Sequence, residues 1–410
     1  MSTAPATALG VHSEVGTLRA AIVHRPDLAH ERLCAANCRE LAFDEVIWVR
    51  RARQEFDQLL ELMRAEGVEV LLLHELLEQT LADRDAREWL LSRRLCCEET
   101  TSVLSREVSA WAQEIAPDEL ARSLTGGILV HELPAEIGAL ARAALPGTDF
   151  VLAPLPNQLF TRDASAWLYG GVLISAMHAP ARRMEALNVE AIYRFHPRFR
   201  DYEAPVWFGG ADHDWGEARL EGGDVMAVGA GVVLVGHSER GAAAAASMLA
   251  QTLFEAGEAR LVIGAALRGP PAPRLETILT FCDRDLVLVR EPDISRIVPV
   301  LYSPDGAGGV AARTSERSLL EEVGEALGVS TLTVVCTGGD QLRADGRQWD
   351  DGSNVLALAP GSVLAYERNE TTNYELARAG VEVHTIAAQE LGRGRERGGR
   401  RLTCPIIRDA

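Results

Sequence analysis

Long apolar runs are missing from this sequence. Its most apolar stretches, Val225–Val235 among them, are broken by glycine and fall far short of the ~18–20 residues that a membrane-spanning helix needs. No basic stretch followed by an apolar run opens the chain, so no secretory leader is expected. Clustered cysteine is missing too. Of seven cysteines, Cys34 and Cys38 are four apart, Cys96 and Cys97 adjacent, and Cys282, Cys336 and Cys404 isolated. That spacing suits neither a zinc site nor a disulfide framework, so no metal and a reduced, cytoplasmic setting are expected. Positive charge is in short supply: 41 Lys and Arg face 59 Asp and Glu, a formal net charge of −18. Phosphate contacts need a basic surface, so neither nucleic acid nor an anionic membrane is expected as a partner of the whole chain. Low-complexity tracts that would argue for disorder are absent as well.

What is present suffices for a large fold. The chain has 410 residues, 47% of them hydrophobic, which predicts two domains or one large domain with an insertion. Leu18–His24 reads as a short buried strand closed by Pro26. Asp44 is expected to cap an amphipathic helix running to about Ala65, with Gly67 ending it, and Val68–Leu73 returns as a strand. From Glu75 to about Ala144 the pattern turns helical and strand signals are scarce, which predicts a helical insertion. Beyond it an acidic or Gly-Gly-Asp element repeatedly precedes a glycine and an aliphatic strand. Asp163 precedes Gly171–Ile174, Gly222-Gly223-Asp224 precedes Val232–Val235, Asp283 and Asp285 precede Leu286–Val289, and Gly338-Gly339-Asp340 precedes Val355–Leu358. With the strand near Ala21 this makes five units, spaced by roughly 55–75 residues, suggesting radial repetition of ββαβ-like units with polar loops at one central end. An ordinary α/β sheet with similar strand ends fits the same texture.

Two stretches carry the chemistry. PNQLFTRDASAW (Pro156–Trp167) and RLEGGDVMAVG (Arg219–Gly229) set Asp163, Glu221 and Asp224 beside tight turns. A third stretch packs Arg393, Arg395, Arg397, Arg400 and Arg401 into ten residues with four glycines, then runs into Cys404-Pro405-Ile406-Ile407. There the glycines let backbone approach a ligand while a buried strand holds a side chain rigidly. Taken with GVHSEVGTLR (Gly10–Arg19), IYRFHP (Ile192–Pro197), GHSER (Gly236–Arg240), WDDGSN (Trp349–Asn354) and TCPIIRD (Thr403–Asp409), these elements run in an order in which the chain resembles the arginine deiminase family over nearly its whole length.

That resemblance implies an α/β fold, a five-bladed pseudo-symmetric α/β propeller formed by residues 1–74 and 148–410, with 75–147 as the helical insertion. It implies hydrolysis of L-arginine to L-citrulline and ammonia without metal or cofactor. A guanidinium is planar and cationic, so two carboxylates clamp its N–H forks. A cysteine thiolate attacks the central carbon, ammonia leaves, and a histidine paired with a glutamate activates the water that releases citrulline. Carried over residue by residue, Asp163 stands at the first clamp and Glu221 at the histidine's acidic partner. Asn157 and Arg240 stand where the substrate's amino-acid end would lie, assisted by Arg182 or Arg183. Gly241 and Ala242 stand where the family often has hydroxyl side chains.

Two departures dominate. The family's His-Leu-Asp-Thr motif corresponds to Arg274-Leu275-Glu276-Thr277, so Arg274 holds the histidine position and Glu276 is a lengthened second clamp. The terminal Cys-Met-Thr-Cys-Pro corresponds to Arg401-Leu402-Thr403-Cys404-Pro405, so Arg401 holds the nucleophile position. Arginine stays protonated and has no lone pair for attack or for base catalysis. Cys404 lies three residues along what reads as an extended segment, which turns it to the opposite face roughly 10 Å away; a structural thiol is expected. The chain is therefore expected to have lost or severely reduced activity, with Arg274 and Arg401 lying among Asp163, Glu221 and Glu276 as internal mimics of the substrate. An active deiminase with an unusual site is the alternative, and a non-catalytic regulatory or binding role for arginine or a protein partner a further one. L-Arginine or another guanidino compound is the expected small-molecule ligand, no cofactor is expected, and a homo-oligomer is compatible. An Arg-Gly loop that binds RNA or phosphate is opposed by the −18 charge and the lack of interleaved aromatics.

Overall fold

The structure is a computed structural model that describes residues 9–96, 102–144, 146–237, 241–267, 273–337, 352–393 and 399–410. It is mixed α/β, with several small sheets. Five of these share one motif: an antiparallel strand pair whose second strand is joined in parallel by a third. The pairs with their third strand are Thr403–Arg408, Leu18–Val23 and Glu69–Leu72; Ser165–Leu168, Gly171–Ile174 and Val206–Phe208; Val225–Gly229, Val232–Gly236 and Leu261–Leu267; Leu279–Asp283, Leu286–Val289 and Thr333–Cys336; and Leu356–Ala359, Ser362–Tyr366 and Glu382–Ile386. Parallel neighbours cannot be joined by a hairpin, and each crossover carries a helix. These are Val49–Ala65, Arg183–Phe195, Ala242–Glu255, Leu319–Leu327 and Glu370–Arg378.

The middle strands read as unbroken aliphatic runs because both their faces are covered. Val232 to Val235 are each 0% exposed, as are Val287, Leu288 and Val289. The third sheet is extended by the antiparallel strands Ile297–Pro304 and Val310–Thr314. Between the first and second units run the helices Leu73–Thr80, Arg84–Cys96, Ser102–Ala112, Pro117–Gly126 and Ala139–Ala144. Their apolar faces do not close on themselves. Leu76, Leu90, Leu120 and Leu124 belong to the same buried cluster as Trp167, Val172 and Ile192 of the second unit.

Among the local boundaries that depart from the sequence reading, three stand out. The first long helix begins at Val49, not beside Asp44, and its N-cap Trp48 has no side-chain cap. The Trp48 N–H instead donates to Glu390 at 2.8 Å, so a carboxylate distant in sequence replaces the local cap. The returning strand spans Glu69–Leu72, because Leu73 already opens the next helix. Residues 399 to 402 form a turn, with strand starting only at Thr403, so Arg401 and Cys404 are not on one extended segment. Among the described residues, no helix is long and apolar enough to cross a membrane.

Candidate functional site

In each unit the first strand of the pair is entered through a tight approach. Thr161–Ala164 leads into Ser165, Gly222–Asp224 into Val225, Leu275–Ile278 into Leu279, and the turn at 399–402 into Thr403. Ser353 and Asn354, both buried, precede the fifth pair. Hydrogen bonds link neighbouring units at or near these approaches. The Arg162 N–H donates to Arg401 O at 3.2 Å, and the Arg162 side chain to Gly222 O and Val225 O at 3.0 and 2.6 Å. Asp224 accepts from Leu275 N at 2.8 Å, Thr280 Oγ1 donates to Ser353 O at 2.6 Å, and Arg408 Nη2 donates to Ala357 O at 2.8 Å. Asp163, Glu276 and Arg401, one from each of three approaches, are brought side by side.

The Gly-Gly pair has a steric reason. A Cβ on Gly222 would sit 2.1 Å from Arg162 O, and one on Gly223 2.5 Å from Glu276 Oε1. Two glycines let the third approach close against the second and the fourth.

At the centre lies a buried ionic cluster. Asp163, 0% exposed, meets three guanidiniums. Arg401 makes a two-pronged contact, Nη2 to Oδ2 and Nε to Oδ1, the latter at 3.2 Å. Arg274 Nη1 lies 3.2 Å from Oδ1, and Arg182 Nη1 2.9 Å from Oδ2. Arg274 Nη2 pairs with Glu221 Oε2, while Glu221 Oε1 accepts from His178 N at 3.0 Å. Glu276, also 0% exposed, has Arg401 Nε at 3.3 Å and Arg400 Nη1 at 3.6 Å. These are ion-pair contacts; neither Glu276 oxygen has a hydrogen-bond partner among the described residues. The Arg401 guanidinium also lies over Phe160, 4.5 Å from the ring centre, a cation–π arrangement. Glu14 extends the network, 3.1 Å from both Arg162 and Arg400.

Burial penalises each of these carboxylates, and the neighbouring charges decide the outcome. For Asp163 the attraction of Arg401, Arg274 and Arg182 overrides burial and holds the carboxyl well below the usual range. Glu221 is also lowered, against its burial, chiefly by Arg274. Glu276 goes the other way. Burial and the repulsion of Asp163 push it up to about 7, because its arginine contacts are longer.

Of the candidate residues, Asp163, Glu221, Glu276, Arg182, Arg274 and Arg401 come together here. Arg183 does not: it is exposed at the start of its helix, so Arg182 is the member of the pair that faces the acids. Asn157 is turned away from the cluster, its side-chain amide donating to Leu41 O at 2.9 Å. Arg240 lies outside the described residues, as do Arg395 and Arg397. Gly241 has φ 87°, and with Ala242 opens the following helix. Ala242, Glu221 and Arg274 border a cleft of about 10 Å³, close to the space of one water. Cys404 is 1% exposed against Ser165 and Tyr193, and burial pushes its thiol up, the opposite of what activates a nucleophile.

Sequence reasoning did not assign Arg400, Glu14, Glu185 or Phe160. Each stood inside or beside a quoted motif, and only the turn geometry tells which neighbour points inward. Glu185 pairs with Arg182 at 2.8 Å and fixes it from behind. Among the described residues, no group of three or more His, Cys, Asp or Glu side chains has metal-holding geometry.

Chemically the centre is a set of carboxylates spaced for the N–H edges of a planar cation, with an aromatic ring beneath. Comparison with known proteins bears on family and fold. A family model described as Arginine deiminase matches residues 39–408. Among solved structures, SxtG, an amidinotransferase from Microseira wollei in a saxitoxin biosynthetic pathway, is similar at TM-score 0.55 and 12% identity over 98% of both chains. A DDAH variant from Pseudomonas aeruginosa complexed with citrulline is similar at TM-score 0.51 and 12% identity, over 95% of this chain and 99% of that one. The N-terminal domain of a cyanobacterial arginine dihydrolase, ArgZ, bound to substrate, is similar at TM-score 0.52 and 12% identity, over 95% and 98%.

Proposed function

The chain belongs to the arginine deiminase family, and from that premise we propose that it is a member without the deiminase reaction, working through binding as a regulatory or scaffolding protein. The observation that carries this reading is the position of Arg401. Its guanidinium sits between Asp163 and Glu276 and over Phe160, where a guanidino substrate would be held. A group that is always protonated stands at the nucleophile position, and a second, Arg274, at the base position. Neither can form a bond to carbon or take a proton from water. The clamp is supplied with cations by the chain itself, so a free guanidino compound would have to displace a tethered one.

The five sheets of one motif and the hydrogen bonds between neighbouring units support a five-bladed α/β propeller over residues 1–74 and 148–410, with 75–147 inserted as helices. The decisive assay incubates the purified protein with L-arginine and measures citrulline and ammonia. No turnover is expected; turnover at an ordinary enzymatic rate, on the order of 1–10³ s⁻¹, would overturn the reading.

A further inference from the structure

The fourth sheet ends on an open edge. Its third strand, Thr333–Cys336, pairs in parallel with Leu286–Val289 on one side and with no strand on the other. Thr333 N donates to Asp285 O at 2.7 Å and Thr337 N to Val289 O at 2.9 Å. Main-chain groups alternate along a strand, so Val335 also faces the sheet while Val334 and Cys336 turn their N–H and C=O outward. Among the described residues, neither of these two has a hydrogen-bond partner on that side.

Across from this edge stands the helix Glu370–Arg378. Between the two lies a cavity of about 470 Å³, within the range of roughly 300–1,000 Å³ in which ligand sites fall. One wall is the whole strand Thr333–Cys336; the other is Thr371, Glu375, Arg378 and Ala379, which their spacing sets on one face of the helix and its C-cap. At another junction such a helix closes on the strand: Ala242–Glu255 packs on Val206–Phe208, where Trp207 and Phe208 are buried. Here Val334 is 43% exposed, and Thr333 and Cys336 are exposed with it. Glu375 and Arg378 pair with each other at 3.0 Å, so the groove presents no net charge.

We infer that this groove takes an extended, uncharged segment of another protein as an added strand, paired main chain to main chain with Val334 and Cys336. A donor and an acceptor repeating at every second residue along an edge match a polypeptide backbone. A strand of this length spans about 13 Å, so a segment of similar length is gripped. The cavity holds that much chain, and not the edge of a second folded sheet with its own covering helix. Two copies of this chain, each at −18, would also repel one another. Small β-branched residues suit the walls, with Val334 on one side and Thr371 and Ala379 on the other.

The test is calorimetric titration of the full chain with acetyl-Thr-Val-Thr-Val-Thr-amide and with the same peptide methylated at every backbone nitrogen. The first should bind with a Kd near or below millimolar. The methylated peptide, unable to donate to the edge, should be weaker by about tenfold or more. At saturation the first peptide should slow alkylation of Cys336 by iodoacetamide, read by mass spectrometry, and leave that of Cys34, also exposed, unchanged. Val334→Pro removes an outward N–H and no ladder bond, a change that strand edges tolerate; it should weaken binding about tenfold and leave the melting temperature nearly unchanged. Absence of binding, equal binding of the methylated peptide, unaltered alkylation of Cys336 at saturation, or binding indifferent to Val334→Pro would overturn the proposal. All but the last are read on the parent protein, so they hold whether or not the variant folds. Sedimentation should give one mass for parent and variant. A dimer lost in Val334→Pro would make a second copy the occupant and would equally overturn it. None of these outcomes touches the reading of the Arg401 centre.

Discussion

Arg401 is the residue on which the centre depends for charge balance. Removing one partner of a buried ion pair leaves the other charge uncompensated, at a cost of roughly 3–5 kcal/mol. Arg401→Ala leaves Asp163 with two guanidiniums, Arg274 and Arg182, and Glu276 with Arg400 alone. The expected result is a loss in that range, read from chemical denaturation in urea. The vacated space has the shape of a guanidinium, so millimolar guanidinium ion should raise the melting temperature of Arg401→Ala and not that of the parent. Equal shifts in both proteins would argue against internal mimicry. Glu276 supplies a pH test with a definite sign. Its carboxyl is raised to about 7 in the folded state, above an ordinary value of about 4.3. Its contribution to stability is therefore fully present at low pH and is lost as pH rises through about 7. Glu276→Gln removes that titration, so the melting temperature of the variant relative to the parent should rise between pH 5 and pH 8. A difference that stays flat or falls over that window would contradict the assignment.

At the scale of elements, much was legible before the structure. The aliphatic runs Gly171–Ile174 and Leu286–Val289 appear as strands with the same limits, because a central strand buried on both faces leaves an unbroken apolar signature. The start of the first long helix was not legible. Its cap comes from Glu390, and no local pattern announces a partner so far along the chain. The turn at 399–402 was likewise hidden within a Gly-Arg stretch compatible with several conformations. For the same reason the choice between Arg182 and Arg183, adjacent and chemically identical, could be settled only by the helix start that exposes one and buries the other. The approach turns also bear on re-engineering. On the proposed reading, Arg401→Cys with Arg274→His restores the reactive groups but keeps a clamp one methylene too long at Glu276. We expect this double variant to produce little citrulline, and addition of Glu276→Asp to raise the rate measurably. A double variant as active as the triple would show that the length of this clamp is immaterial. Gly223→Ala should be destabilising beyond the usual surface range of about 0.5 kcal/mol, since its methyl group would press on Glu276.

For the whole molecule, one compositional fact gains meaning from the centre. All 41 of its Lys and Arg residues are arginine. Every permanently charged side-chain cation is thus planar and forked, suited to the two-pronged contacts seen at Asp163. The hydrophobic organisation leads to the last prediction. Residues 75–147 read as a helical insertion in the sequence, where a shift of periodicity is visible but the partner of each apolar face is not. In the structure Leu76, Leu77, Leu90 and Leu91 share one buried cluster with Trp167, Leu173 and Ile192, and Leu155 N donates to Thr125 O at 2.8 Å across the junction. An isolated segment would expose those leucines, and helices of 6 to 13 residues are marginal in water without tertiary support. The excised peptide 75–147 should therefore show weak helical circular dichroism and no cooperative melt. A sharp thermal transition in that peptide would mean that the helices carry a core of their own.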